Sequence, residues 1–105
     1  MSKCIFCKII NKDIPAKIIY EDNDFLAFYD INPKAPIHFL IIPKLHIESL
    51  QHLQSEHTNL IGRLIIKANE IATNLGLEGY KTHINTGVKG GQEVFHLHIH
   101  ILGSK

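Results

Sequence analysis

Residues 90–103 read GGQEVFHLHIHILG, and His96, His98 and His100 take alternate positions with Leu97, Ile99 and Ile101 between them. Successive side chains of a strand point to opposite faces. The pattern therefore predicts a strand over 96–102 with imidazoles on one side and aliphatic side chains on the other. A helix would scatter the same residues around its circumference. The aliphatic row is expected to meet a helix and the histidine row to lie on the open face of a sheet. The chain has eight histidines. Three of them in register within five residues point to a site rather than to the hydrophilic side of a solvent-facing strand.

The strand follows a glycine-rich turn, TGVKGGQ, and before that a strand candidate from Tyr80 to Asn85. Leu60, Ile61, Leu64, Ile65, Ala68, Ile71, Ala72 and Leu75 recur at helical spacing, with a cap expected at Ser55 and a stop at Gly76. Earlier still, strands are expected over Lys17–Glu21, Phe25–Ile31 and His38–Ile42, separated by EDND and NPKAP turns. Cys4 to Asn11 reads as a short helix ending before Pro15, with Ile5, Phe6 and Ile9 on one side. The sum is an α+β chain: a five-stranded antiparallel meander with one long helix on a face and a short N-terminal helix.

A length of 105 residues, 45% of them hydrophobic, suits one core and hence a single domain over 1–105. A net charge of +1 with no basic block argues against a nucleic-acid polymer as partner but leaves a mononucleotide open. Apolar runs such as FLII at 39–42 are far too short to span a membrane, and Lys3 and Lys8 interrupt any secretory segment, so a soluble, cytoplasmic protein is expected. Two cysteines, Cys4 and Cys7, form one C-x-x-C, too few for a disulfide scaffold.

Two chemistries suit a histidine ladder. One is a metal site, although the outer rings of three sit about 13 Å apart at the backbone, which strains convergence on one ion. The other is a phosphoryl site in which one imidazole attacks phosphorus while its neighbours bind oxygens or pass protons. Gly87, Gly90 and Gly91 favour the second, because backbone N–H groups of such a turn approach an anion closely.

HLHIHIL resembles the His-φ-His-φ-His-φ-φ signature, with φ apolar, of the histidine triad (HIT) superfamily. CIFCKIINKDIPAKIIYED, FYDINPKAPIHFLIIPKLHI and INTGVKGGQ extend the resemblance along nearly the whole chain, to the HINT branch of nucleotide-binding proteins and purine nucleoside phosphoramidases, and most to bacterial members. The resemblance implies a HIT-like homodimer that hydrolyses the P–N bond of adenosine or guanosine 5'-phosphoramidates without a catalytic metal. His98 would be the nucleophile and form a nucleotidyl-histidine, His96 would orient its ring, and His100 and His38 would stand at the phosphate. Asp30 would bind the ribose hydroxyls, and Asn85 the phosphate region. Phe6, Phe28, Ile31 and Leu40 would form the slot for the base. Gly91, Gln92, Glu93 and Val94 belong, by the same resemblance, to the turn on the phosphate and leaving-group side.

Several of these residues carry a plainer reading. Asp30 and Asn85 are common turn formers, and Phe6, Phe28 and Leu40 are by type core residues. His46, His52, His57 and His83 have no place in the triad and default to the surface. His46 is the exception: some bacterial members that this chain resembles hold a structural zinc through the equivalents of Cys4, Cys7, His46 and His96. The alternative is a pair of thiols without metal. Glu93 stands where many eukaryotic relatives carry serine, and the chain ends at Gly103-Ser104-Lys105 without the longer tail of many relatives. Both features bear on the leaving group. Besides the phosphoramidase, two other functions stay open. One is a dinucleoside polyphosphate hydrolase of a neighbouring branch. The other is a nucleotide-binding regulatory module in which hydrolysis is incidental.

Overall fold

The structure, a computed structural model, describes residues 4–105. Helix α1 (Ile5–Ile10) leads into strands β1 (Ile18–Glu21), β2 (Phe25–Tyr29) and β3 (Ile37–Pro43). Two 3₁₀ turns and the long helix α2 (Thr58–Asn74) follow, then β4 (Tyr80–His83) and β5 (Ile99–Gly103). The expected α+β architecture is present: a five-stranded antiparallel sheet, one long helix and a short N-terminal one.

The sheet is not a meander. Its order is β1-β2-β3-β5-β4, so the last strand inserts between β3 and β4. Burial explains the order. Ile99 and Ile101 of β5 are 1% and 0% exposed, which only an interior strand allows, whereas Lys81, Thr82 and His83 of β4 are exposed and suit an edge.

Both faces of the sheet are covered. Phe25, Ala27, Phe39, Ile41, Ile99 and Ile101 pack against Leu64, Ala68, Ile71 and Ala72 of α2. The alternate residues Leu26, Phe28, Leu40 and Ile42 pack against Phe6 and Ile9 of α1. The histidine face is therefore not open, as the sequence suggested, because α1 lies over part of it. Ile5, expected on the inner side of α1, is 48% exposed.

Gly76 stops α2 as expected, at φ +86°, with Gly76 N–H donating to Thr73 O and Leu77 N–H to Ala72 O. The start differs. Ser55 lies in a 3₁₀ turn, and the first α-helical residue is Thr58, after reciprocal hydrogen bonds between Gln54 and His57.

Candidate functional site

The three histidines of the ladder have three different surroundings. His96 is fully buried and His98 6% exposed, both ahead of the first paired residue of β5, while His100 lies within the strand and is half-buried. Phe6 of α1 sits edge-on to both His96 and His98, at 6.0 and 5.0 Å between ring centres. The His98 and His100 rings are 4.9 Å apart.

Hydrogen bonds to the backbone fix which nitrogen of each ring carries a proton. His98 Nδ1–H donates to the His96 carbonyl at 2.7 Å, so its Nε2 keeps an unshared pair. Lys34 N–H donates to His38 Nδ1 at 3.0 Å, which places the His38 proton on Nε2, 3.0 Å from His100 Nδ1 and 3.4 Å from Asp30 Oδ2. His100 then accepts at Nδ1 and presents Nε2–H as a donor. The backbone amide of Lys34 thus polarises a chain, His38 to His100, that ends in an N–H near a bare nucleophilic nitrogen. Asp30, His38 and His100 also have the spacing of metal ligands, but the Lys34 amide occupies the wrong nitrogen for His38 to coordinate through Nε2.

Burial holds these rings neutral. It pushes His100 down to about 4, helped by His98, His83 and His38, and it lowers His98 and His38 as well. Unfolded histidine titrates near 6.5, so below about pH 6.5 the unfolded chain binds protons that the folded chain does not. Stability is full above that pH and falls as pH drops toward about 4. Thermal melts between pH 8 and pH 4 check this: the melting temperature is expected to decline below about 6.5, and less steeply in His100→Asn.

Beside His38 lies a cleft of about 600 Å³, of a size for a small ligand, lined by Asp30, Ile31, Tyr29 and a wall of Pro15, Ala16, Lys17, Pro33 and Pro36. Asp30 accepts the Asn32 N–H through Oδ1, the turn-forming role its sequence context allowed, and turns Oδ2 toward His38. Ile31, 90% exposed, is the expected slot residue that does line this cleft. Phe6, Phe28 and Leu40 instead belong to the core under α1, at 7%, 4% and 5% exposure. The proline-bounded wall was not read from the sequence, since turn prolines carry no mark of their function.

The glycine turn is built by backbone and one side chain. Gly87 and Gly91 adopt φ of +75° and +86°, and a Cβ on Gly91 would touch the Asn85 side chain. Gln92, expected on the phosphate side, is buried with its amide engaged: it accepts from Gly87 N–H and donates to the Glu48 and Val94 carbonyls. It fastens the turn from within. Glu93 is exposed and Val94 half-buried against the α1 core.

On the other side of His96, four side chains meet. His96 Nδ1 lies 3.3 Å from Cys4 Sγ, 3.6 Å from Cys7 Sγ and 3.2 Å from His46 Nδ1, and Cys7 Sγ is 3.3 Å from His46 Nδ1. These are the separations of neighbouring corners of a tetrahedral zinc site with bonds of about 2.0–2.3 Å. His96 Nε2–H donates to Pro43 O at 2.7 Å, leaving Nδ1 unprotonated toward the cluster, and burial holds the ring neutral by pushing it down to about 4. The donor set, spacing and outer hydrogen bond all fit zinc.

The family model described as "Scavenger mRNA decapping enzyme C-term binding" matches residues 3–105. The chain is 57% identical to Protein HitA of Neisseria gonorrhoeae over 105 residues, spanning 99% of this chain and 98% of that protein. A HIT family hydrolase from Legionella pneumophila superposes with a TM-score of 0.95 at 43% identity, covering 98% of this chain and 94% of that one. The chain belongs to the HIT family. A histidine triad protein from Clostridium difficile matches this HIT protein equally, at TM-score 0.95 and 43% identity over 100% of this chain and 93% of that one.

Among the remaining histidines of this HIT protein, His52 is exposed beside Glu48 and His57 caps the turn before α2. His83 is exposed too, but β4 pairs it directly with His100, ring centres 5.0 Å apart, so it extends the imidazole row by one strand. Only the register of β4 on β5 could have revealed this. No helix among the described residues is long and apolar enough to cross a membrane.

Proposed function

We propose that this HIT protein is a purine nucleoside phosphoramidase. The observation that carries the reading is the 2.7 Å hydrogen bond from His98 Nδ1–H to the His96 carbonyl, which leaves Nε2 as a neutral nucleophile beside the His100 N–H donor. His98 Nε2 attacks phosphorus, the P–N bond to the amine breaks, and the amine departs with a proton from solvent. Water then attacks the nucleotidyl-histidine and gives up a proton to solvent, the new P–N bond breaks, and AMP or GMP leaves with His98 restored. His100 Nε2–H stabilises the charge that grows on a phosphate oxygen. Similarity to proteins named HIT family hydrolase supports hydrolysis in general.

Assaying the purified protein side by side on an adenosine phosphoramidate and on diadenosine tetraphosphate tests this reading. Preferential P–N cleavage supports it; preference for the tetraphosphate supports the neighbouring branch; AMP binding without turnover of either supports a binding module. The base lies in the cleft by Ile31, and Asp30 Oδ2 accepts from the ribose hydroxyls. Loss of a charged hydrogen bond costs about 1.5–3 kcal/mol, so Asp30→Ala is expected to weaken AMP binding by roughly 10- to 150-fold and to blunt discrimination against 2'-deoxy-AMP. Calorimetric titration with both nucleotides reads this, and an unchanged ribo-to-deoxy ratio would remove Asp30 from that role.

Zinc at Cys4, Cys7, His46 and His96 is structural on this reading, since four protein ligands leave no open position for water. The assembly is a two-fold homodimer through β4. Edge β1 is blunted by a register shift after Ile18 and by Lys12 and Lys44 paired to Glu21, whereas β4 presents an exposed edge with no such pairing among the described residues. Light scattering at micromolar concentration is expected to give twice the chain mass; a monomer mass would overturn the dimer.

A further inference from the structure

The peptide between His96 and Leu97 is held from both ends. Its carbonyl accepts the His98 Nδ1–H at 2.7 Å, and its N–H donates to the Ile47 carbonyl at 2.7 Å. Ile47 follows His46, and the His96 ring meets His46, Cys4 and Cys7 in one cluster. This segment lies beyond the regular ladder, since β3 ends at Pro43 and β5 begins at Ile99. Past those points 44–47 and 96–98 are joined by the Leu97–Ile47 hydrogen bond, the His96–Pro43 hydrogen bond and the cluster itself, with Lys44 N–H to Asp24 O and Gln92 to Glu48 O holding the ends of the neighbouring segment.

We propose that Cys4, Cys7 and His46 are positioning residues for catalysis: with a metal ion in the cluster, they fix the His96 ring and His46, and so the peptide plane whose carbonyl holds His98 in its reactive tautomer. None of the three touches the substrate. The kinetic half of this inference rests on His98 being the nucleophile; the tautomer half does not. A cluster without metal leaves two thiols and two imidazoles in mutual contact, with alternative hydrogen-bonding partners among themselves. The His96 backbone then gains freedom, and His98 Nδ1–H loses its fixed acceptor. Misplacing a reacting group by about 1 Å can cost on the order of a hundredfold in rate.

The test uses the full chain loaded with zinc, the same protein stripped by a chelator, and His46→Gln, which alters an exposed ligand and leaves three. The ring ¹⁵N resonances of His98 report its tautomer, and kcat and KM are measured separately on an adenosine phosphoramidate. Zinc-loaded protein is expected to show His98 as a single Nδ1–H tautomer. Stripped protein and His46→Gln are expected to show mixed tautomers, with kcat down about 10- to 100-fold and KM within about twofold. Re-adding zinc to the stripped protein restores both readings. Should stripping unfold the chain, His46→Gln decides alone. A single Nδ1–H tautomer and full kcat in folded stripped protein, or in His46→Gln, overturns the inference, as does failure to take up stoichiometric zinc. If zinc-loaded protein cleaves no phosphoramidate, the proposed activity fails, while the tautomer comparison still decides the coupling.

Discussion

Replacing His98 by alanine is expected to lower turnover of an adenosine phosphoramidate by at least about 10⁴-fold while AMP binding stays within a few-fold. The size follows because neither other histidine of the triad can take over. His96 Nδ1 faces the cysteines and its Nε2 is bound to Pro43 O, so its ring has no nitrogen to offer. His100 uses Nδ1 to accept from His38 and keeps a proton on Nε2, so it stands as a donor and not as a nucleophile. On the proposed reading the nucleotide is held elsewhere, in the cleft lined by Asp30, Ile31 and the prolines, so affinity is expected to survive. Rapid-quench kinetics and calorimetric AMP titration on wild type and His98→Ala measure both halves. Turnover within about a hundredfold of wild type would transfer the chemistry to another residue.

Removing the metal is expected to have the largest effect on stability. A ligand present at 1,000 times its dissociation constant stabilises by about 4.1 kcal/mol. For a domain of roughly 100 residues, each kcal/mol moves the melting temperature by about 4–8 °C. Zinc-loaded protein should therefore melt about 15–30 °C above the chelated protein or the double variant Cys4→Ser, Cys7→Ser. The fold locates the gain. The cluster ties the start of α1 to the segments after β3 and before β5, and α1 has only six residues and the small core around Phe6 and Ile9 to hold it down. Burial pushes the Cys4 thiol up, so zinc must displace a proton to bind, and its contribution grows as pH rises. Calorimetric melts with metal analysis on protein prepared without a metal-affinity tag read the effect. Substoichiometric zinc with an unchanged melting temperature would leave the cysteines as plain thiols.

How much of this was legible in the sequence depended on whether one residue's surroundings or several strands decided it. The alternation of the ladder was legible because an extended chain has a period of two, although the paired strand begins only at Ile99 and leaves His96 and His98 ahead of it; the stop at Gly76 was legible because a left-handed residue there favours glycine. Strand order was not. Nothing in β5 alone says that it lies between β3 and β4; that follows from comparing its burial on both faces with the exposed side chains of β4. The expectation that His96 orients the His98 ring named no atom, and the structure shows two separate contacts for that residue. Its carbonyl holds His98, while its ring serves the cysteine cluster. A rotamer choice made by tertiary packing settles that, and no pattern of residue types records it. The buried fastening role of Gln92 and the place of His83 beside His100 have no mark in the sequence for the same reason, since the partners Glu48 and His100 come from distant segments.

Wild-type protein quenched with acid during steady turnover of an adenosine phosphoramidate, with the labelled peptide mapped by mass spectrometry, is expected to carry an adenylyl adduct on His98 that forms within the first turnover, disappears when the substrate is exhausted, and is absent from His98→Ala. Full turnover with no adduct on any histidine, or an adduct on His96 or His100, would contradict His98 as the nucleophile.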